Sequence, residues 1–139
     1  MIILTNSNSQ TLAPGQSLTF DTIVMHTGCA EGYILGTTPV SLRMGRAIYD
    51  IRFSANIGAT APGEAQLSIS SNGTPLPETI MISTTAAAGD LNNVSKETAI
   101  RTAAHCCKCA DPEYCTITNT GTTTIEIGEN PSLFIGRLA

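Results

Sequence analysis

Between Ala47 and Leu76 the chain alternates apolar and polar residues so regularly that only β-structure satisfies it. Ala47, Tyr49, Ile51, Phe53, Ala55 and Ile57 share one parity, while Asp50, Arg52, Ser54 and Asn56 hold the other. Successive side chains of a strand point to opposite faces, so this pattern predicts a half-buried strand. After a turn over 58–63 that contains Pro62, Ala65, Leu67 and Ile69 alternate with Glu64, Gln66, Ser68 and Ser70. The two segments read as an antiparallel hairpin with one wet face. Asn72-Gly73 then supplies the positive φ angles of a tight turn, and Pro75 and Pro77 keep the next few residues from pairing as a central strand.

The remaining segments obey the same logic. A short strand is predicted at Ile2 to Leu4, then a polar turn ending in Pro14-Gly15, then a strand from Ser17 to Met25. That strand places Leu18, Phe20, Thr22 and Val24 on one face and Ile23 and Met25 on the other. Apolar residues on both faces call for cover on both, either by a second sheet and a loop or by a neighbouring subunit. Val40, Leu42 and Met44 mark a strand in Pro39 to Met44, and Ile80 and Ile82 mark another in Glu78 to Ser83. The alanines of Ala86 to Asp90 sit between Thr84-Thr85 and Gly89, which makes them a connector rather than a helix. Val94 to Thr102, Cys115 to Asn119, Thr122 to Ile127 and Leu133 to Leu138 complete a set of about nine short strands with no helix among them. Turns at Thr120-Gly121 and Gly128 to Pro131 separate the last three.

With 139 residues the chain reads as one domain, residues 1–139, with no linker. Aromatic residues make up 4% and Trp is absent, so the core is thin and suited to support from a partner subunit. The seven Lys and Arg are scattered and the net charge is −4, which argues against nucleic acid as a partner. The opening MIIL has neither a basic flank nor a long apolar run, so no signal peptide is expected. No stretch approaches a membrane span of roughly 18 apolar residues.

The order of QTLAPGQSLTFDTIVMHTG, PVSLRMGRAIYDIRFSANI, AQLSISSNGTPLP and TITNTGTTTIEIGENPSLFIGRLA resembles the C1q/TNF-like jelly-roll modules of bacterial collagen-like surface proteins and phage virion proteins. The resemblance spans Gln10 to Ala139. It rests on Phe20-Asp21, the stretch from Gly45 to Tyr49, the turn Asn72-Gly73-Thr74-Pro75 and the closing strand Ser132 to Leu138. It implies an all-β jelly-roll β-sandwich that assembles as a compact homotrimer, displays loops at one end and is not an enzyme. No Gly-X-Y collagen segment precedes the module in this sequence.

One stretch carries unusual chemistry. RTAAHCCKCADPEYC, from Arg101 to Cys115, holds His105, Cys106, Cys107, Cys109 and Cys115, while Cys29 lies three residues after His26 in an earlier Gly-rich loop. Three readings stay open: disulfides among Cys29, Cys106, Cys107, Cys109 and Cys115, within or between chains; free thiols; or a metal site in which thiolates and His105 would suit Zn²⁺. Cys106 with Cys107 and Cys107 with Cys109 are too close to bridge without strain. The spacing C-C-x-C-x5-C is not the paired C-x2-C of zinc ribbons. No catalytic residue is nominated, because His105 and Cys106 are adjacent and neighbouring strand residues face opposite ways. Asp90, Asn92 and Asn93 are turn formers before they are Ca²⁺ ligands. Asn72-Gly73-Thr74 and Asn93-Val94-Ser95 match the glycosylation pattern but read as a turn and the start of a strand. Arg43, Arg46 and Arg52 read as solvated charge, with a threefold site as the alternative.

The functional expectation is a non-enzymatic structural or display protein on a virion surface, decorating the capsid or forming a fibre tip, made in the host cytoplasm and needing no cofactor. Its partners would be its own copies, a major capsid or other virion protein, and a host-surface glycan or receptor, with neither nucleic acid nor membrane. Two alternatives stand beside it: a receptor- or carbohydrate-binding module of a bacterial or spore surface, and a cysteine-based metal-binding protein.

Overall fold

The computed structural model describes residues 1–43, 46–102 and 112–139. Its strands in chain order are β1 (Ile2–Thr5), β2 (Gln10–Leu12), β3 (Thr22–His26), β4 (Glu31–Gly32), β5 (Val40–Leu42), β6 (Ile48–Ala59) and β7 (Gly63–Ser71). After them come β8 (Thr74–Pro75), β9 (Met81–Thr85), β10 (Asn92–Arg101), β11 (Glu113–Asn119), β12 (Ile125–Ile127) and β13 (Ser132–Arg137). One 3-10 turn, Pro77–Thr79, is the sole helical segment among the described residues.

Two antiparallel sheets face each other in the manner of a jelly-roll sandwich. The first is centred on β6, with β10 on one side and β12 and β13 in succession along the other. There β2 pairs with β12, β1 pairs with β13, and β3 forms the outer edge. The second runs β4, β5, β11, β7, with β8 and β9 sharing the far side of β7. The predicted inward parity of β6 holds in full: Tyr49, Ile51, Phe53, Ala55 and Ile57 are buried, as is Ala47. With Leu133 and Ile135 of the same sheet they form one core with Leu67, Ile69 and Ile117 of the facing sheet. The Asn72-Gly73 turn is also as read, with φ of 50° and 80° closing the short β7–β8 hairpin.

Other expectations are corrected. β6 and β7 are not a hairpin, since they belong to different sheets and the turn between them crosses the sandwich. Alternation specifies which face of β6 is inward but not which strand lies at its edge. Both edges are taken by distant partners, β10 over residues 92–101 and β12 and β13 over 125–137. The far face of β7 is wet only at its start: Glu64 is exposed and Gln66 half-buried, but Ser68 and Ser70 are buried, and Ser68 shares a 2.7 Å hydrogen bond with Thr120. The strand expected from Ser17 begins only at Thr22; Leu18 and Phe20 are core residues on irregular backbone. In β9 the buried parity is Met81, Ser83 and Thr85, leaving Ile80 and Ile82 exposed.

Asn119 ties several elements together inside the core. Its Nδ2 donates to the carbonyls of Leu12 (3.0 Å) and Thr123 (2.9 Å), and its Oδ1 accepts from the Gly121 N–H (3.0 Å). The residue is fully buried, so each of its polar groups needs a partner within the protein.

Candidate functional site

Cross-strand register decides which side chains stand together on the outer face of the first sheet. The parity of β6 opposite its buried residues contributes Ile48, Asp50, Arg52, Ser54 and Asn56. Ser54 pairs with Ser95 on β10 and Ser132 on β13. The next row runs Glu97, Arg52, Phe134, Ile3 and Met25, from β10 across β6, β13 and β1 to β3. Beyond it lie Ala99, Asp50 and Gly136. A ridge of long side chains thus stands between rows of short ones. The result is a groove of about 750 Å³ lined by Arg52, Ser54, Ser95, Glu97, Ser132 and Phe134.

The ridge changes character along its length. At the β10 end the Arg52 guanidinium reaches Asp50 Oδ2 at 2.8 Å and Glu97 Oε2 at 3.7 Å, and lies 5.4 Å from the Phe134 ring centroid. Arg52 is well exposed, so these pairs orient the cation and add little stability. The ring has room because position 136 is glycine: a Cβ there would come within 2.9 Å of Phe134 Cζ. At the β3 end the ridge is apolar. Val24 is 57% exposed and Met25 46%, and Ile48 and Leu138, joined through the Leu138 N–H and the Ile48 carbonyl, are exposed at the neighbouring end of β6. All five residues of β3 are exposed, and β1 is the strand's one partner among the described residues.

Antiparallel sandwiches ordinarily keep their outer faces polar and blunt their edge strands with charge or proline. Here a grooved, partly apolar face adjoins an aliphatic edge without either protection, and the chemistry this offers is association. Sequence reasoning anticipated Ile23 and Met25 as candidates for a subunit contact. It missed Ile3 and Phe134, whose common surface exists only through the pairing of β1 with β13.

The residues singled out from the sequence are dispersed. His105, Cys106, Cys107 and Cys109 lie outside the described residues. Cys29 is an exposed free thiol and Cys115 a fully buried one, with no disulfide within the chain at either. Cys115 faces the core between Val40 and Ser71, and burial pushes its thiol up to about 12. Cys29 lies near the start of β11: the Ala30 carbonyl accepts from the Arg43 N–H, and both Glu31 and Glu113 pair with Leu42. Among the described residues no three His, Cys, Asp or Glu side chains come together as metal ligands would. Asn92 and Asn93 are strand residues bonded to Ser83 and Asn56, apart from any ligand role with Asp90. Arg52 is in β6 of the first sheet, whereas Arg43 follows β5 of the second. Elsewhere, hydrogen bonds from Ser7 and Thr22 hold the Asp21 carboxyl below its ordinary value, and burial raises the Tyr33 hydroxyl. Among the described residues no helix is long and apolar enough to cross a membrane.

No protein-family description and no curated protein matches the chain. Among solved structures it is similar to the PRD1 vertex protein P5, at 13% identity and a TM-score of 0.49, covering 95% of this chain and 93% of that one. It is also similar to the CBM35 from Cellvibrio japonicus Abf62, at 10% identity and a TM-score of 0.39 over 96% and 94% of the two chains. A third likeness, to the Podospora anserina GH26-CBM35 β-(1,4)-mannanase, has 12% identity and a TM-score of 0.36, with 96% of this chain and 29% of that one covered. Likenesses this distant carry no argument about what this chain does.

Proposed function

We propose that the chain is a non-enzymatic structural and display module of a virion surface, acting as a compact homotrimer in which the β3 edge of one copy lies in the first-sheet groove of the next. The observation that carries this reading is the apolar run of Phe134, Ile3 and Met25 on the outer face, ending in the unprotected aliphatic edge Ile23, Val24 and Met25. A ring of three requires a heterologous contact, in which each copy offers two different surfaces. An edge that fits a face supplies such a pair, whereas a twofold dimer would need one self-complementary patch. Burying this surface also answers the demand of a core with few aromatics for help from a partner. On the virion the trimer would decorate the capsid or cap a fibre, with its opposite sheet and loops outward.

Light scattering coupled to size exclusion tests the assembly. The wild-type chain is expected at three times the monomer mass. Val24→Lys and Phe134→Ala, at half-buried or exposed positions that leave the core intact, are expected to shift the mass toward the monomer. A wild-type monomer at micromolar concentration refutes the reading. Rebinding of the purified trimer to capsids stripped of surface proteins tests the location, and failure to rebind alongside capture by bacterial or spore surfaces would move it there.

A further inference from the structure

A second concavity lies on the opposite side of the sandwich. The row Gly32, Ser41 and Tyr114 crosses β4, β5 and β11. Its neighbours Glu31, Val40, Leu42 and Cys115 are buried, so the row itself faces outward. Gly32 adds no side chain and Ser41 only a short one, and the floor sinks between Tyr114 on one side and Tyr33 and Ile34 on the other. The space measures about 230 Å³.

Arg43 lies across this floor. Its Nε donates to Ser41 Oγ at 3.2 Å, and Ser41 Oγ in turn donates to the Gly32 carbonyl at 3.0 Å. A Cβ on residue 32 would stand 2.8 Å from Ser41 Oγ and 3.2 Å from Arg43 Nη2, so glycine leaves the guanidinium its place. None of the ion pairs among the described residues involves Arg43. The wall opposite Tyr114 is rigid: the Tyr33 hydroxyl accepts from the Phe20 N–H at 2.8 Å and also contacts the Thr37 carbonyl, and its ring meets Phe20 edge-on at 5.8 Å.

We propose that this pocket binds the terminal acidic sugar of a glycan, a single pyranose ring carrying a carboxylate. A planar guanidinium held by one nitrogen and, among the described residues, without an ion-pair partner is suited to receive a carboxylate through two parallel hydrogen bonds. Tyr114, 43% exposed, offers an aromatic face for the C–H side of the ring. The volume falls below the roughly 300–1,000 Å³ of pockets for larger ligands, which limits the occupant to about one ring. A lone cation serves a monoanion better than a phosphate, whose several oxygens call for further donors. The pocket shares no lining residue with the proposed subunit contact and does not depend on it.

Titration calorimetry of the full chain with the methyl glycosides of N-acetylneuraminic acid, glucuronic acid and galactose tests the proposal. At least one acidic glycoside is expected to bind and the neutral one is not. Arg43→Gln should weaken binding by about tenfold or more, the size of a lost charge-assisted pair. Arg43→Lys should restore part of it, and Tyr114→Ala should weaken it severalfold. Arg43 is exposed, so unchanged melting temperatures will show that the variants are folded. Equal binding of galactose, indifference to Arg43→Gln, competition by acetate as strong as by the sugar, tighter binding of a peptide C-terminus, or no binding of either acid at millimolar concentration would each overturn it.

Discussion

Asn119 offers the sharpest test of how the two sheets are fastened. Replacing it with Leu keeps the approximate volume but removes three hydrogen bonds, stranding the carbonyls of Leu12 and Thr123 and the Gly121 N–H inside the protein. At about 1 kcal/mol for each, with the desolvated groups left unpaired, the loss is about 3 kcal/mol. For a chain of this size that lowers the melting temperature by about 10 °C. Asn119→Asp sets a stricter condition, because it keeps the shape and the acceptor but turns the donor into an oxygen facing two carbonyls. Burial and those carbonyls disfavour the charged form, so the folded-state pKa of the new carboxyl rises above the unfolded value of about 3.9. Stability associated with the neutral carboxyl is then present in full below about pH 4 and is lost as pH rises through the folded value. Urea unfolding of wild type and both variants, at one protein concentration and at pH 4 and pH 7, measures this. Asn119→Asp should approach wild type at pH 4 and fall at least as far as Asn119→Leu at pH 7. A variant as stable as wild type at pH 7, or one whose deficit does not grow with pH, would show that Asn119 does not hold the sheets in this way.

Burial and backbone geometry have further consequences. In the folded protein, mass mapping after brief iodoacetamide treatment at pH 8 should find Cys29 alkylated and Cys115 untouched. The Cys115 thiol is raised from an ordinary 9.0 to about 12, so its contribution to stability is intact below pH 9 and lost between about pH 9 and 12; a flat alkaline unfolding profile for wild type, identical to that of Cys115→Ala, would contradict this. Gly58→Ala would place a Cβ 2.0 Å from the backbone carbonyl of Asp90, and the forced displacement should cost about 1–3 kcal/mol in thermal denaturation. Gly73→Val, at φ of 80° in the β7–β8 turn, should destabilise by about 1–2 kcal/mol, while an unchanged melting temperature would mean the turn readily takes another form.

The strands themselves were legible because their signal is local. A residue's parity on a strand is written in its immediate neighbours, so the inward set of β6 and β7, the Asn72-Gly73 turn and the absence of α-helix among the described residues could all be read from the chain. Period-two alternation could likewise say which side of β6 was greasy. What alternation cannot carry is the identity of the strand alongside. The supposed β6–β7 hairpin became a crossing between sheets because β10, β12 and β13 compete for the same edges and win them over long registers. In the same way Phe134, Arg52, Ile3 and Met25 became one ridge, and Gly32, Ser41, Arg43 and Tyr114 one pocket. Sequence alone determined the β-character of the described residues and the inward faces of β6 and β7, because those depend on neighbours one and two residues away; the outer ridge and the Arg43 pocket were decided only by tertiary pairing, because they join residues tens of positions apart.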